Sequence, residues 1–326
     1  MAIDQYQRTI NYLRVSVTDA CNLRCVYCMP ENMTFRPGPE LLQDEEIITL
    51  LGLFAKLGFE KIRFTGGEPT VRTNIVGLVQ AAAQTPGIRK VAMTTNGVLL
   101  DHLARPLREA GLTQVNVSVD TLNEKRFRQL TRWGNLRDVW AGIQAAERVG
   151  LQLKLNAVVV RGLNDTEDVV ALAQLTREHP WQVRFIEMMP FGGISEFQLS
   201  HSVPEQELRD RIAAALGPLE LCHEGKLDGE AKVYRLAGAP GTLGFISPVS
   251  QPFCAGCNRA RLMADGMLRL CLLRERELDL RGPLRNGLER GALKQLMEQH
   301  IYLKPWGHGL ATHQFATNRT MSEIGG

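Results

Sequence analysis

The sequence predicts an α/β fold, a partial (β/α)6 TIM-type barrel followed by a smaller C-terminal α+β domain. Short runs rich in β-branched residues alternate with helix-patterned stretches up to about residue 190, and the alternation then stops. Polar residues stand at the ends of several predicted strands. Repeated β/α units build either a barrel or a doubly wound sheet, and we favour the barrel because its curved sheet brings strand ends to one mouth.

Six strands and several helices are predicted in the first part of the chain. The strands cover residues 13–18, 61–65, 90–95, 114–119, 153–160 and 182–187. Helices are predicted between them, for example over residues 44–57, 136–149 and 167–177. The first of these helices begins with acidic residues, which the helix dipole favours. We assign residues 1–190 to the barrel domain.

The rest of the chain, residues 191–326, has a different pattern and is assigned to the second domain. A loop at residues 191–195 precedes a helix near 205–216 and strands near 232–236 and 242–246. Asp265 and Gly266 stand between two β-rich runs, residues 261–264 and 267–270, and so predict a tight hairpin.

Composition excludes several classes of protein. The 326 residues are 44% hydrophobic and 22% charged, which is ordinary for a globular protein, and the formal net charge of +3 does not predict a nucleic-acid-binding surface. No apolar run approaches the roughly 20 residues that span a bilayer, and the start of the chain lacks the pattern of a signal peptide. We therefore expect a cytoplasmic protein that binds neither nucleic acid nor membrane.

The seven cysteines form two triplets and one single residue. An odd number does not suit a closed set of disulfides, and clustered thiols in a reducing compartment are typical of metal ligands. The first triplet is Cys21, Cys25 and Cys28, spaced C-x3-C-x2-C in the loop after the first strand. Three thiolates can hold a [4Fe–4S] cluster and leave one iron open for a chelating ligand. A zinc site is the alternative, although structural zinc usually has four protein ligands.

The second triplet is Cys254, Cys257 and Cys271, spaced C-x2-C-x13-C. It suggests a second cluster whose open iron could bind substrate. The alternative is a zinc ribbon in which Cys222 is the fourth ligand. If Cys222 is not a ligand, we expect it at a buried apolar position.

Two arginines follow the second triplet's CxxC segment. Arg259 and Arg261 would share one face of a strand, because side chains alternate between the two faces. Guanidinium groups bind phosphate oxygens bidentately, so the pair suits a polyphosphate. A solvated charged strand is the alternative.

The motifs together resemble a known superfamily. The first triplet has an aromatic residue before its last cysteine, and a Gly-Gly-Glu-Pro segment, residues 66–69, follows the second strand. These features resemble the radical S-adenosylmethionine superfamily. The second triplet, its Asn-Arg-Ala-Arg segment and the two terminal glycines resemble, within it, the family of GTP cyclases that begin molybdenum cofactor biosynthesis. The match covers nearly the whole chain; only residues 222–239 show nothing familiar.

The resemblance implies two [4Fe–4S] clusters and S-adenosyl-L-methionine as cofactors, GTP as substrate, and a set of binding residues. S-adenosylmethionine would contact Tyr27, Gly67, Ser118 and Met189. GTP would contact Arg14, Lys61, Arg63, Thr94, Lys154, Arg184, Arg259 and Arg261. The tail residues Gly325 and Gly326 would enter the active site, whereas a frayed terminus is the usual alternative.

The implied reaction proceeds through radicals. A 5′-deoxyadenosyl radical, generated at the first cluster, would remove the C3′ hydrogen of GTP. The C3′ radical would then add to C8 of the guanine, and one-electron reduction by the external donor, with uptake of a proton, would give (8S)-3′,8-cyclo-7,8-dihydroguanosine 5′-triphosphate. We expect no acid–base catalytic residue, because hydrogen-atom transfer does not require one. The expected partners are an external one-electron donor, the cyclic pyranopterin monophosphate synthase that takes the product, and a second copy in a homodimer.

Three other classes remain open on the residues alone. One is a peptide-modifying radical enzyme, which usually carries more cysteines in its second domain. Another is an electron-transfer iron–sulfur protein, which would have little use for a barrel or an open iron. A zinc-stabilised nucleic-acid-binding module is the last, and the mild net charge disfavours it.

Overall fold

The computed structural model describes residues 1–190, 195–223, 231–309 and 319–325. Its strands are β1 (Tyr12–Ser16), β2 (Lys61–Thr65), β3 (Lys90–Thr95), β4 (Gln114–Ser118), β5 (Gln152–Val159), β6 (Gln182–Glu187), β7 (Leu219–His223), β8 (Lys232–Leu236), β9 (Thr242–Ile246), β10 (Arg259–Leu262), β11 (Met267–Arg269) and β12 (Glu277–Asp279). The six predicted barrel strands are confirmed to within two residues at each end.

The helices of the described residues follow the predicted alternation. They are α1 (Asp44–Lys56), α2 (Ile75–Gln84), α3 (Leu100–Glu109), α4 (Glu124–Thr131), α5 (Leu136–Arg148), α6 (Glu167–Glu178), α7 (Ser195–Ser200), α8 (Glu205–Leu216), α9 (Arg281–Arg285), α10 (Arg290–Tyr302) and α11 (Met321–Ile324). The helix predicted at residues 205–216 is confirmed as α8, whereas α7 begins inside the segment predicted as a loop. None of these helices is long and apolar enough to cross a bilayer.

The strands form one open sheet in the order β12-β11-β10-β1-β2-β3-β4-β5-β6-β9-β8-β7. Neighbours from β1 to β6 are parallel, and the sheet's two edges, β12 and β7, do not pair with each other. The partial barrel is therefore confirmed, and the doubly wound alternative is not, since the strands run in chain order.

Strands from the second half of the chain extend the barrel at both sides. β10 pairs with β1 in parallel, which puts Arg259 opposite Tyr12 and Arg261 opposite Arg14, and β9 pairs in parallel with β6. The predicted hairpin is confirmed as the antiparallel pair β10 and β11, and its turn places Gly266 at a φ of 86°. Strands from both sides of residue 190 thus share one sheet, and the division of the chain there stays a prediction.

The barrel strands alternate apolar and polar residues. In β2, Ile62 and Phe64 are fully buried in the hydrophobic core that the helices cover, whereas Lys61, Arg63 and Thr65 alternate with them and are also buried. The inner face of the barrel is therefore polar and rich in cations. Burying cations is costly unless an anion or hydrogen bonds compensate them, so this face is suited to an anionic ligand.

A glycine contact between α5 and the segment that precedes α3 gives a test of the fold. A Cβ atom at Gly142 would lie 2.3 Å from the carbonyl oxygen of Gly97, whereas one at Gly52 of α1 would meet nothing within 4 Å. We expect Gly142→Ala to destabilise the protein by about 1–3 kcal/mol through overpacking. Gly52→Ala should stabilise it by about 1 kcal/mol or less through helix propensity. Thermal unfolding checks both, and equal melting temperatures for the two variants would contradict this packing.

Candidate active site

Both cysteine triplets line one cavity of about 310 Å³, the first triplet beyond the carboxyl end of β1 and the second beside the amino end of β10. Cys21, Cys25 and Cys28 come from the loop after β1; Cys254 and Cys257 precede β10, and Cys271 follows β11. Among the described residues, no three His, Cys, Asp or Glu side chains converge on a point that fits a single metal ion.

The first cysteine loop is held by the Gly-Gly-Glu-Pro segment after β2. The backbone N–H of Gly67 donates to the carbonyl of Thr18 at 2.7 Å, and that of Glu68 donates to Ala20 at 2.8 Å. A Cβ atom at residue 67 would lie 2.3 Å from the carbonyl oxygens of both Asp19 and Ala20. Only glycine allows so close an approach, which is the physical reason for this residue type beside the triplet.

Glu68 joins this segment to the end of β3. Its buried carboxylate accepts hydrogen bonds from the hydroxyl groups of Thr70 and Thr95, at 2.5 and 2.6 Å, and from the backbone N–H of Asn96 at 2.6 Å. Burial raises the pKa of Glu68, while these donors oppose the rise. The Nδ2 atom of Asn96 in turn lies 3.9 Å from the Sγ atom of Cys21.

Arg24 holds the same loop from inside, and sequence reasoning missed it. Its guanidinium donates to the carbonyl groups of Cys21 at 2.7 Å and Leu23 at 2.9 Å. The guanidinium carbon also lies 4.2 Å from the ring centroid of Trp133. A single arginine between two cysteines carries no sequence signal for this role, because its partners are backbone atoms.

The thiols of the first triplet resist ionisation in the metal-free protein. Burial raises the pKa of Cys21 to about 11 and that of Cys28 to about 12. The backbone N–H groups of Leu23 and Ser322 donate to these two sulfur atoms and favour the thiolates. Bound irons would supply the larger stabilisation, since a coordinating thiol is deprotonated. Three sulfurs that line one cavity, two of which accept backbone N–H groups, fit a three-cysteine iron–sulfur cluster.

The second triplet lies in a more cationic environment. Burial opposes ionisation of Cys257, but Arg259 and Lys304 outweigh it and lower the pKa of this thiol to about 6. Burial raises the pKa of Cys254, whose sulfur accepts the backbone N–H of His308. These sulfurs also fit a cluster held by three cysteines.

Cys222 is not part of either group. It lies exposed on β7, outside the cavity lining, so the expectation of a buried position is wrong. The reason is that β7 is an edge strand paired only with β8, and its residues 220–222 are all exposed.

The residues expected to bind S-adenosylmethionine, Tyr27, Gly67, Ser118 and Met189, all line the cavity. The hydroxyl of Tyr27 donates to Asp120 at 2.6 Å, and the backbone N–H of Val158 donates to the other oxygen of Asp120 at 2.8 Å. Burial raises the pKa of Asp120 to about 6. Sequence reasoning missed this carboxylate, although its position two residues after Ser118 could have indicated it.

Five of the residues expected to bind GTP line the same cavity: Arg14, Thr94, Arg184, Arg259 and Arg261. In the described part of the chain, the Nε atom of Arg14 and the Oδ1 atom of Asn156 are buried without a hydrogen-bond partner. Burial, then Arg14 and Arg259, lower the pKa of Arg261 well below its ordinary value. A ligand with anionic groups and a hydrogen-bond donor would satisfy both atoms, since Arg14 Nε donates and Asn156 Oδ1 accepts, and its anionic groups would relieve the repulsion among the cations.

The other three expected GTP residues, Lys61, Arg63 and Lys154, are not among the residues that line this cavity. Arg63 donates to the Tyr12 hydroxyl at 2.5 Å, and the Nζ atom of Lys61 lies 4.5 Å from the same ring's centroid. Lys154 lines a separate cavity of about 420 Å³ at the amino ends of β5 and β6. Burial, then Arg184 and Arg63, lower the pKa of Lys154 to about 7.

The tail reaches the cavity as far as the structure describes it. Met321 and Ser322 line the cavity, and the carbonyl of Gly325 accepts a hydrogen bond from Arg261. Gly325 has a φ of 80°, and a Cβ atom there would lie 2.9 Å from Cγ2 of Thr65. Gly326 lies outside the described residues.

Two family models match the chain. Residues 15–176 match the model described as Radical SAM superfamily, and residues 181–310 match the model described as Molybdenum Cofactor Synthesis C. Two curated relatives carry the name GTP 3′,8-cyclase. The one from Pelotomaculum thermopropionicum is 49% identical and the one from Moorella thermoacetica 46% identical, each over 325 residues that cover 99% of both chains.

Solved structures show the same fold at low identity. SuiB from Streptococcus suis, solved with S-adenosylmethionine bound, superposes with a TM-score of 0.61 at 15% identity over 93% of this chain and 68% of that one. Methylornithine synthase PylB superposes with a TM-score of 0.52 at 17% identity over 90% of this chain and 86% of that one. These likenesses support the open barrel and nothing finer.

The contrast between the thiols predicts their reactivity. In metal-free protein at pH 7, iodoacetamide should alkylate Cys257 well before Cys21 or Cys28, because only a pKa of about 6 leaves a thiol ionised at this pH. Peptide mass spectrometry of a time course measures the rates. Arg259→Gln should slow the reaction of Cys257, since Arg259 lowers its pKa. Equal rates at the three thiols would contradict these electrostatics.

Proposed function

The chain belongs to the GTP 3′,8-cyclase family, and from this membership we propose that its two cysteine triplets hold two clusters across one cavity, with S-adenosyl-L-methionine at the first cluster and GTP at the second. The protein is a radical S-adenosylmethionine enzyme of molybdenum cofactor biosynthesis, and it uses iron–sulfur clusters. The observation that carries the placement is that all six cysteines line the same cavity.

At the first cluster, the chain's own residues bind and orient the cofactor. Cys21, Cys25 and Cys28 would hold three irons, and the glycine backbone at Gly67 would let the cofactor lie close to the chain. Tyr27 would contact the cofactor from the cysteine loop. The hydrogen bond from its hydroxyl to Asp120, two residues after β4, fixes the position of Tyr27. When bound, the reduced cluster and S-adenosylmethionine supply the 5′-deoxyadenosyl radical that removes the C3′ hydrogen of GTP.

The remaining two cofactor residues come from other strands. Ser118 ends β4 and Met189 follows β6, so each would approach the cofactor from a different side of the barrel. Cysteine loop, glycine segment and strand ends would together orient the cofactor and exclude water. No side chain has to move a proton in this arrangement.

At the second cluster, cations would bind the triphosphate. Arg14, Arg259 and Arg261 lie on the paired strands β1 and β10, and Arg184 faces them from β6. Guanidinium groups bind phosphate oxygens bidentately. Burial, then repulsion from Arg14 and Arg259, lower the pKa of Arg261, and bound phosphate would relieve that repulsion. Cys254, Cys257 and Cys271 would hold the irons that face the purine.

The deeper cations and the tail complete the proposal. Lys61, Arg63 and Lys154 would add positive charge below the triphosphate, and Thr94 would contact GTP from the end of β3. The contact of Gly325 with Arg261 puts the tail beside a proposed phosphate ligand, which supports the proposed entry of the tail into the active site.

The partners follow from the chemistry of the reaction. The first cluster needs an electron in each reductive cleavage, so we propose an external one-electron donor. The product would pass to the cyclic pyranopterin monophosphate synthase. We also propose a cytoplasmic homodimer, with residues 1–190 carrying the first cluster and residues 191–326 the second.

Anaerobic reconstitution tests the proposal. The wild-type protein should bind about eight irons and as many sulfides, whereas a variant with Ala at Cys254, Cys257 and Cys271 should bind about four. That variant should still cleave S-adenosylmethionine but form no cyclised GTP. The matched variant at Cys21, Cys25 and Cys28 should release no 5′-deoxyadenosine. Zinc in place of iron, or cleavage without the first triplet, would overturn the assignment.

Lys154 gives a pH-dependent test of triphosphate binding. Its pKa of about 7 leaves the free amine mostly neutral at pH 8, and nearby phosphate charges should raise that pKa and protonate it. GTP binding at pH 8 should therefore take up about one proton, and affinity should fall as pH rises above 7. Calorimetry in buffers of different ionisation enthalpy measures the uptake.

Two variants control this measurement. Lys154→Met should abolish the uptake of the proton, whereas Lys56→Met, at an exposed position of α1, should leave it unchanged. Equal proton uptake in the wild type and in Lys154→Met would show that bound triphosphate does not change the protonation of Lys154.

A further inference from the structure

A buried lysine stands behind the second cysteine triplet. Lys304 follows α10, and only 2% of it is exposed. Its Nζ atom donates to the carbonyl of Arg259 at 2.8 Å and to the carbonyl of Leu270. These carbonyls belong to the residue two positions after Cys257 and to the residue before Cys271. One ammonium group therefore ties together the backbone next to two proposed cluster ligands.

A second buried cation, Arg8, holds the third ligand and shows how Lys304 differs. The guanidinium of Arg8 donates to the carbonyl of Cys254 at 2.7 Å and to that of Trp306 at 2.9 Å. Arg8 is neutralised by Asp4, whose carboxylate lies 2.6 Å away. Lys304 forms no ion pair with a carboxylate among the described residues, so its charge is compensated only by carbonyl dipoles.

The anions that act on Lys304 are the cysteines themselves. Burial lowers its pKa, and Cys257 and Cys271 are the groups that raise it again. Taking an unpaired ammonium group out of water costs several kcal/mol, so a buried lysine calls for an anion nearby. A [4Fe–4S] cluster with three thiolate ligands carries negative charge in both oxidation states.

We propose that Lys304 is the counter-cation of the second cluster, a positioning residue that fixes the ligand backbone and raises the reduction potential of the cluster. This inference rests on the proposed assignment of that cluster to Cys254, Cys257 and Cys271. Reduction adds one negative charge to the cluster, and a nearby buried cation stabilises the reduced form more than the oxidised one. Cluster potentials respond to local charge and hydrogen bonding in this way.

The test measures the potential of the second cluster alone. The full-length chain with Ala at Cys21, Cys25 and Cys28 should hold only that cluster, and electron paramagnetic resonance follows its redox titration. In this background, Lys304→Met and Lys304→Gln should each lower the equilibrium constant for reduction at least tenfold, which is 59 mV for a one-electron couple. Gln can still donate two hydrogen bonds but carries no charge, so it separates charge from backbone positioning.

Two further variants serve as controls. Lys304→Arg keeps the charge and should shift the equilibrium constant less than threefold. Lys125→Met, at an exposed position of α4, should not shift it at all. If both neutral variants lose the iron while Lys304→Arg keeps it, the cluster needs the positive charge at this position in order to stay bound, and this result also supports the proposal.

Other results would overturn the proposal. Neutral variants that keep about four irons and the unchanged potential would show that Lys304 only ties the backbone. Loss of iron from Lys304→Arg as well as from the neutral variants would show that shape, not charge, matters. Absence of iron from the background that retains Lys304 would contradict the proposed second cluster itself, which distinguishes the two failures.

Discussion

The parallel pairing of β10 with β1 is the contact on which the site's geometry depends. It places Arg259 and Arg261 in register with Tyr12 and Arg14. It also brings the segment that starts at Cys254 next to residues 8–12 at the amino end of β1, whereas the loop that carries the first triplet follows the carboxyl end of the same strand. Without this pairing, the second triplet would lie on a separate unit, and the two sets of thiols would not face one cavity.

The same arrangement collects buried positive charge, and the chain compensates it in different ways. Arg63 binds a tyrosine hydroxyl and a carbonyl, and Arg8 pairs with Asp4. Arg261 and Lys154 are buried among other cations, and burial first, then these neighbours, lower their pKa values. Folding such a barrel without a bound anion costs free energy, because each buried cation loses its hydration. The bound triphosphate and the anionic clusters would compensate these buried charges when the enzyme is loaded.

Much of this architecture could be predicted from the sequence, because the relevant patterns are local. The alternation in β2, with Ile62 and Phe64 towards the helices, located the barrel strands, and cysteine spacing indicated the clusters. The glycine segment is recognisable from its resemblance to the superfamily's motif, and the structure gives the physical reason for the residue type, since a Cβ atom at residue 67 would clash with the carbonyl oxygens of Asp19 and Ala20. The exposed position of Cys222 was missed, since nothing local indicates that β7 lies at the sheet's edge.

Contacts between distant parts of the chain could not be predicted. Arg8 contacts Cys254 across 246 residues, and the role of Lys304 depends on two carbonyl groups in other segments. Periodicity also cannot show that β10 pairs with β1 and not with another strand. A lone arginine or lysine leaves no pattern, and its meaning appears only when the fold gives it neighbours.

The central claim is that cofactor and substrate meet in the cavity between the triplets. The most direct measurement uses GTP deuterated at C3′ and mass spectrometry of the 5′-deoxyadenosine that the enzyme releases. If the two molecules lie side by side, as the shared cavity requires, the 5′-deoxyadenosine should carry the deuterium. Release of 5′-deoxyadenosine without deuterium, while cyclised GTP still forms, would contradict the account.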